Sequence, residues 1–117
     1  IPRLECGVED VQSGWNTGKC RSLDISGVKI GDEGAIGVAD ALRSNQHLKV
    51  LRLDGCNIGP RGASALGAAL STSSLESLSM DANPLMGDGV AQIADGIKAH
   101  SRLRSLSLSR TQAGFEG

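Results

Sequence analysis

Four six-residue blocks along the chain share one alternation of apolar and polar positions: CRSLDI (20–25), LKVLRL (48–53), LESLSM (75–80) and LRSLSL (103–108). A period of two belongs to a short strand with one buried face. Strands are therefore predicted near residues 21–25, 49–53, 76–80 and 104–108. Between the blocks the period changes. Gly34, Gly62 and Gly89 are followed at four and eight positions by Val38 and Leu42, Leu66 and Leu70, Ile93 and Ile97. A four-residue apolar step is helical, and helices are predicted over roughly 32–43, 60–71 and 88–99. Block starts at 20, 48, 75 and 103 recur with a nearly constant period, so each unit is strand, turn, helix and return, an internal repeat.

Boundary residues agree with that frame. Asp32 and Asp88 stand where a helix N-cap or first-turn acid belongs, and Pro60 suits a first helical position. Arg43 and Lys98 fall at the opposite ends, where cations face the negative pole of the helix.

The spacing resembles that of the leucine-rich repeat family, specifically its long, ribonuclease-inhibitor-like class, written L-x-x-L-x-L-x-x-N/C-x-L followed by G-x-x-x-L-x-x-x-L. The resemblance covers residues 20 to 114, three complete units and a partial fourth in a repeat domain of 20–117. It implies an α/β solenoid, a horseshoe fragment with parallel strands on the concave side and helices on the convex side.

Within the frame, the stretch RLDGCNIGPRGASALG (52–67) loses its catalytic look. Cys56 takes the N/C position of the pattern, shared with Val28, Asn83 and Thr111. The resemblance implies that this residue faces inward beneath the strand-to-helix turn, so Cys56 is expected to be structural and inert. Neither His47 nor His100 holds a position that aims a base at it. The glycines at 59 and 62 are turn and helix-start residues, and no Lys-Ser/Thr follows them, which excludes a phosphate-binding P-loop. The cysteines and histidines have no ligand spacing, so neither a metal nor any other cofactor is expected.

Composition narrows the partner. Twelve Lys and Arg against thirteen Asp and Glu leave no basic excess for nucleic acid. One Trp and one Phe are too few for a base-stacking platform. No apolar run approaches the roughly 20 residues of a membrane span, and the opening IPRLECG lacks signal-peptide order. Cys6, Cys20 and Cys56 are odd in number and irregularly spaced, which favours a reducing, cytoplasmic setting, with a Cys6–Cys20 bridge left open.

Residues 1–19 read as a remnant of a preceding repeat or an N-terminal cap, because Gly7, Val11 and Trp15 continue the four-residue step backwards. Both edges fall mid-repeat, the pattern of an excerpt from a longer array with flanking repeats.

The alternation places three columns on the concave face: Ser22, Val50, Ser77, Ser105; Asp24, Arg52, Ser79, Ser107; and Ser26, Asp54, Asp81, Ser109. From these, Asp24, Arg52, Asp54, Ser79, Asp81 and Ser107 are the candidate protein-binding residues, with the aspartates receiving Lys or Arg. The helix segment GASALGAAL (62–70) offers a convex alternative, either as a contact for another protein or as a close seam between helices. No catalytic constellation is present. The expected function is a non-enzymatic protein-interaction module or scaffold. Two alternatives stand beside it: a GTPase-activating regulator, which would need Arg52, Arg61 or Arg110, and a ligand-sensing fragment of a larger receptor.

Overall fold

In a computed structural model of the chain, residues 5–6, 21–44, 47–100 and 102–111 are described. Their elements are β1 (Glu5–Cys6), β2 (Ser22–Asp24), α1 (Gly31–Ser44), β3 (Val50–Arg52), α2 (Pro60–Leu70), β4 (Ser77–Ser79), α3 (Met86–His100) and β5 (Ser105–Ser107). The five strands form one sheet in sequence order, every pair parallel. From β2 onward each step to the next strand passes through one helix, and the register matches the columns of the repeat: Ser22, Val50, Ser77 and Ser105 are aligned, as are Asp24, Arg52, Ser79 and Ser107. The strands and helices lie where the periodicities predict them, with α3 starting slightly earlier.

Strand β1 was not anticipated by the repeat. It pairs with β2 through Glu5 and Cys6, although the chain between them is much shorter than a repeat. The helix expected around Val11 and Trp15, and the question of a Cys6–Cys20 bridge, lie outside the described residues.

The core is a thin sandwich of aliphatic side chains between the sheet and the helices. Leu23, Leu51 and Leu78 in the middle of successive strands are essentially inaccessible, as are Ile25, Leu53 and Met80 just beyond them. They meet Val38 and Leu42 of α1, Leu66 and Leu70 of α2, and Ile93 of α3 in one continuous cluster. Among the described residues this core holds no aromatic ring. Leu106, the equivalent residue of β5, is 40% exposed.

Along the convex side, α2 and α3 touch backbone to backbone. A Cβ placed on Gly67 would collide with the Gln92 carbonyl, and one on Gly96 with the carbonyl of Gly67. A Cβ on Gly62 would sit 2.7 Å from the Ala35 methyl and 2.9 Å from Asp32 Oδ1. The glycines and Ala63 and Ala69 of GASALGAAL are thus buried seam residues, while Ser64 and Ala68 face solvent. Most of that stretch is explained by helix-to-helix packing.

Gly67→Ala should therefore force α2 and α3 apart and cost on the order of 1–3 kcal/mol, the usual range for overpacking. Ala68→Ser, exposed on the same helix, should stay within about 0.5 kcal/mol of wild type. Equilibrium urea unfolding of the two variants checks the contrast, and equal midpoints would refute the backbone seam.

Candidate functional site on the concave face

Where each strand turns toward its helix, backbone N–H and C=O groups point into the interior without a helix or sheet partner, and a buried unpaired group is costly. Asn83 answers this for two coils at once. Its Oδ1 accepts the N–H groups of Cys56 and Ile58 at 2.8 and 3.1 Å. Its Nδ2 donates to the carbonyls of Leu53, Met80 and Asp81 at 2.8, 3.0 and 3.2 Å. One coil earlier, the Cys56 thiol donates to the Ile25 carbonyl at 3.2 Å and contacts that of Asp54 at 3.6 Å. Thr111 in the last described coil donates to Leu108 at 3.1 Å. Cys56 is fully buried, and burial pushes its thiol pKa up, with N–H groups at Gly27 and Val28 offsetting part of the rise. That is the opposite of a reactive thiolate.

A second ladder runs on the outside. Ser26 Oγ accepts the N–H of Asp54 at 3.1 Å. Asp54 Oδ1 in turn accepts the Asp81 N–H at 2.8 Å and the Ser79 hydroxyl at 2.5 Å. Asp81 Oδ1 accepts the Ser109 N–H at 2.7 Å and the Ser107 hydroxyl at 2.6 Å. Each side chain of this column thus holds the next coil's backbone. Both bonds to each aspartate fall on Oδ1, and Oδ2 takes none among the described residues. Asp24 is placed differently: its Oδ1 accepts the N–H of its own neighbour Ser26 at 3.0 Å.

Asp32 makes a third link between coils. The repeat frame makes it a first-turn acid of α1, which it is. Its Oδ1 also accepts the N–H groups of Gly59 and Gly62 at 2.7 and 2.9 Å, capping the start of α2 in place of a side chain from that helix.

These elements bring Arg52, Ser79, Asp81 and Ser107 around a concave cleft of about 310 Å³, together with Val50, Ser77, Leu78 and Ser105. Asp54 joins them through Ser79, and Asp24 stays outside the cleft. The hydrogen bond from Ser107 holds the Asp81 carboxyl below the usual carboxylate range, helped by the Ser109 N–H and by the charges of Arg110 and Arg52. Arg52 is exposed and lies in register with Asp24 and Ser79. Arg61 stands apart, at the start of α2, paired with Glu33 at 3.1 Å on an exposed surface. Among the described residues no three His, Cys, Asp or Glu side chains gather as metal ligands, and no helix is long and apolar enough to cross a membrane.

The family model described as Leucine Rich repeat matches residues 21–39 and 44–67, which hold β2 through most of α2. The chain belongs to the leucine-rich repeat family. Curated relatives carry the same repeat. Over 83% of this chain it is 34% identical to the human NACHT, LRR and PYD domains-containing protein 5, covering 8% of that protein. It is 30% identical to the mouse protein 4B of that name over 87% of the chain and 12% of the relative. Human protein 13 is 32% identical over 75% of the chain and 9% of its own length. The chain thus spans only a small part of these relatives. As a leucine-rich repeat fragment it is a repeat module of the protein-interaction or ligand-sensing kind.

Two outcomes follow from the ladders of this leucine-rich repeat. Cys56 should resist thiol reagents in the native protein and react only on unfolding. Cys56→Asn should fold, whereas Cys56→Asp, burying a charge without an assured partner, should lose on the order of 3 kcal/mol or more. Rapid native-state labelling would refute the buried ladder.

The second outcome concerns acid. Asp81 binds protons less readily folded than unfolded, so between the two pKa values the unfolded state holds more protons and stability rises with pH. Its contribution is complete above about pH 4, the ordinary aspartate value, and is lost as pH falls through the depressed folded value. Urea midpoints measured from neutral pH downward should fall more steeply for wild type than for Asp81→Asn. Parallel acid limbs would refute the role of the carboxylate.

Proposed function

We propose that the chain binds a protein partner on its concave face, through Asp24, Asp54 and Asp81 as acceptors for Lys or Arg, with Arg52, Ser79 and Ser107 supplying the polar contacts between them. The observation that carries this is the outer ladder: Oδ1 of Asp54 and Asp81 is used to hold the next coil, which leaves a carboxylate oriented in advance, with Oδ2 taking no bond among the described residues. A charge oriented before binding costs less to order when the partner arrives. The role is that of a non-enzymatic, cytoplasmic scaffold of the ribonuclease-inhibitor-like class, within a longer array of repeats. The odd cysteine count supports the compartment, and the repeat period of the strand blocks supports the class.

The convex alternative draws less support, because the small residues of α2 are largely consumed by the seam with α3. The GTPase-directed alternative draws less still, since Arg61 is paired with Glu33. A ligand-sensing role would use the same concave cleft.

Asp54→Asn with Asp81→Asn removes the charge and retains an oxygen to accept the backbone N–H groups. With a partner recovered by pull-down, that double variant should lose affinity about tenfold or more, and wild-type binding should weaken as salt shortens the Debye length from about 10 Å at 0.1 M. Ala68→Glu on the convex side should bind as wild type. Loss in Ala68→Glu with retention in the aspartate variant would overturn the concave assignment.

A further inference from the structure

The acidic column has a counterpart at the other end of the strands. Arg21, Lys49, Glu76 and Arg104 precede the four repeat strands and are aligned by backbone bonds: the Arg21 carbonyl accepts the N–H of Lys49, that of Lys49 accepts Glu76, and that of Glu76 accepts Arg104. Arg21, Glu76 and Arg104 are exposed and Lys49 is half-buried. This rim carries three cations to one anion. The rim formed by Asp54 and Asp81, with Asp24 just inside it, carries anions, and Arg52 lies between the two with no ion pair among the described residues. Arg110, beyond the acidic rim, moderates but does not reverse its sign.

Dimensions and chemistry of the floor decide what fits between them. The step from Lys49 to Asp54 spans about 16 Å at about 3.3 Å per strand residue. An α-helix with its side chains is about 10–12 Å across, which leaves room for charged tips on either edge. Apart from Val50 and the exposed Arg52 of β3, the floor residues Ser22, Ser77, Ser79, Ser105 and Ser107 are short, so a helix can lie low over β4 and β5. Backbone groups of the floor strands are already spent on one another in the parallel ladder. An extended segment lying across them would find no main-chain partners, whereas a helix brings its own bonds with it.

We propose that this trough docks one α-helix of a protein partner bearing acidic side chains along one edge and basic side chains along the other. The proposal rests on the concave-face reading above and specifies its occupant. Acidic side chains meet Arg21, Lys49 and Arg104, and basic ones meet Asp24, Asp54 and Asp81. Turning such a helix end for end exchanges its edges, so only one N-to-C direction across the strands is compatible. The three intervals between the four coils, at about 4.8 Å each, provide a bed for about ten helical residues.

Three synthetic helical peptides with the same small-residue face test this: one with Glu on one edge and Lys on the other, one with Lys on both edges and one with Glu on both. Each is titrated at low salt into the isotopically labelled chain, with backbone amide shifts in β3, β4 and β5 as the readout. The mixed-edge peptide should bind about tenfold more tightly than either single-sign peptide, the combined effect of several exposed pairs. Arg21→Glu with Arg104→Glu changes exposed side chains and leaves the backbone ladder intact, and it should shift the preference to the all-Lys peptide. A spin label at one end of the mixed-edge peptide should broaden amides at one end of the sheet only. If the all-Lys peptide equals or exceeds the mixed one on wild type, or if the label broadens both ends, the two-edged helix is overturned and the acidic-face reading stands. If none of the three shifts the concave amides, both readings fall.

Discussion

Each coil of this solenoid contains one strand and one helix, and the two must share a single repeat distance although their natural spacings differ. Paired strands lie about 4.8 Å apart, whereas packed helices prefer about 8–10 Å. The stack resolves the mismatch by curving, with the sheet on the inner side, and by bringing helices closer than ordinary side chains permit. Gly67 and Gly96 are where that compromise is visible, because the α2 and α3 backbones meet there with no space for a Cβ. The concave face, and with it the candidate site, exists because the strands took the shorter spacing.

The same stacking sets the polar chemistry. A coil that turns from strand to helix leaves main-chain groups facing the next coil, and three side-chain types absorb them at three depths. Asn83 and Cys56 do so in the interior, Asp54 and Asp81 at the concave surface, and Asp32 at the start of the following helix. Each bond joins residues about one repeat apart. Bonds within a coil, such as Asn83 to Met80 and Thr111 to Leu108, accompany these, but the bonds between coils make each described coil depend on its neighbours, as a quasi-one-dimensional stack requires. The first of these coils has Val28 at the inner position, whose side chain has no donor; the Ile25 carbonyl there accepts the Val28 N–H and, from the following coil, the Cys56 thiol.

Much of this was legible in the sequence because it is periodic. Strand and helix positions and the concave columns follow from a four-residue step and a two-residue step repeated in one frame, and the inward placement of Cys56 from the family resemblance that this frame carries. What periodicity cannot convey is which atom a polar side chain uses. Asp54 and Asp81 read as free acceptors on an open face, and nothing in their spacing discloses that Oδ1 is already bonded to the next coil. Asp32 reads as belonging to its own helix, although it caps the next one; the paired glycines at 59 and 62 were the only hint, since both leave space for its carboxylate. Turn strain is likewise hidden. Gly27 and Gly55 take left-handed φ values of 86° and 63°, but the corresponding positions in the later coils are Ala82 and Arg110, at 59° and 55°. Stacking imposes on them a conformation their residue types disfavour. Strand β1 escaped because it breaks the period that identified the others.

The divided use of the aspartates has a consequence for how recognition and stability are coupled. Oδ1 of Asp81 sits in short hydrogen bonds to Ser107 and Ser109, an interaction that added salt screens little. In the proposed concave binding mode its Oδ2 meets a partner as an exposed charge, which salt screens readily. Salt therefore separates the two roles, weakening association while the coils stay stacked. Acid does not separate them: one proton removes the charge seen by the partner and the full acceptor strength seen by the next coil. The depressed pKa of Asp81 postpones that loss to below the ordinary carboxylate range. The bond that orders the carboxylate thus also keeps it charged, which ties the electrostatics of the concave face to the stacking beneath it.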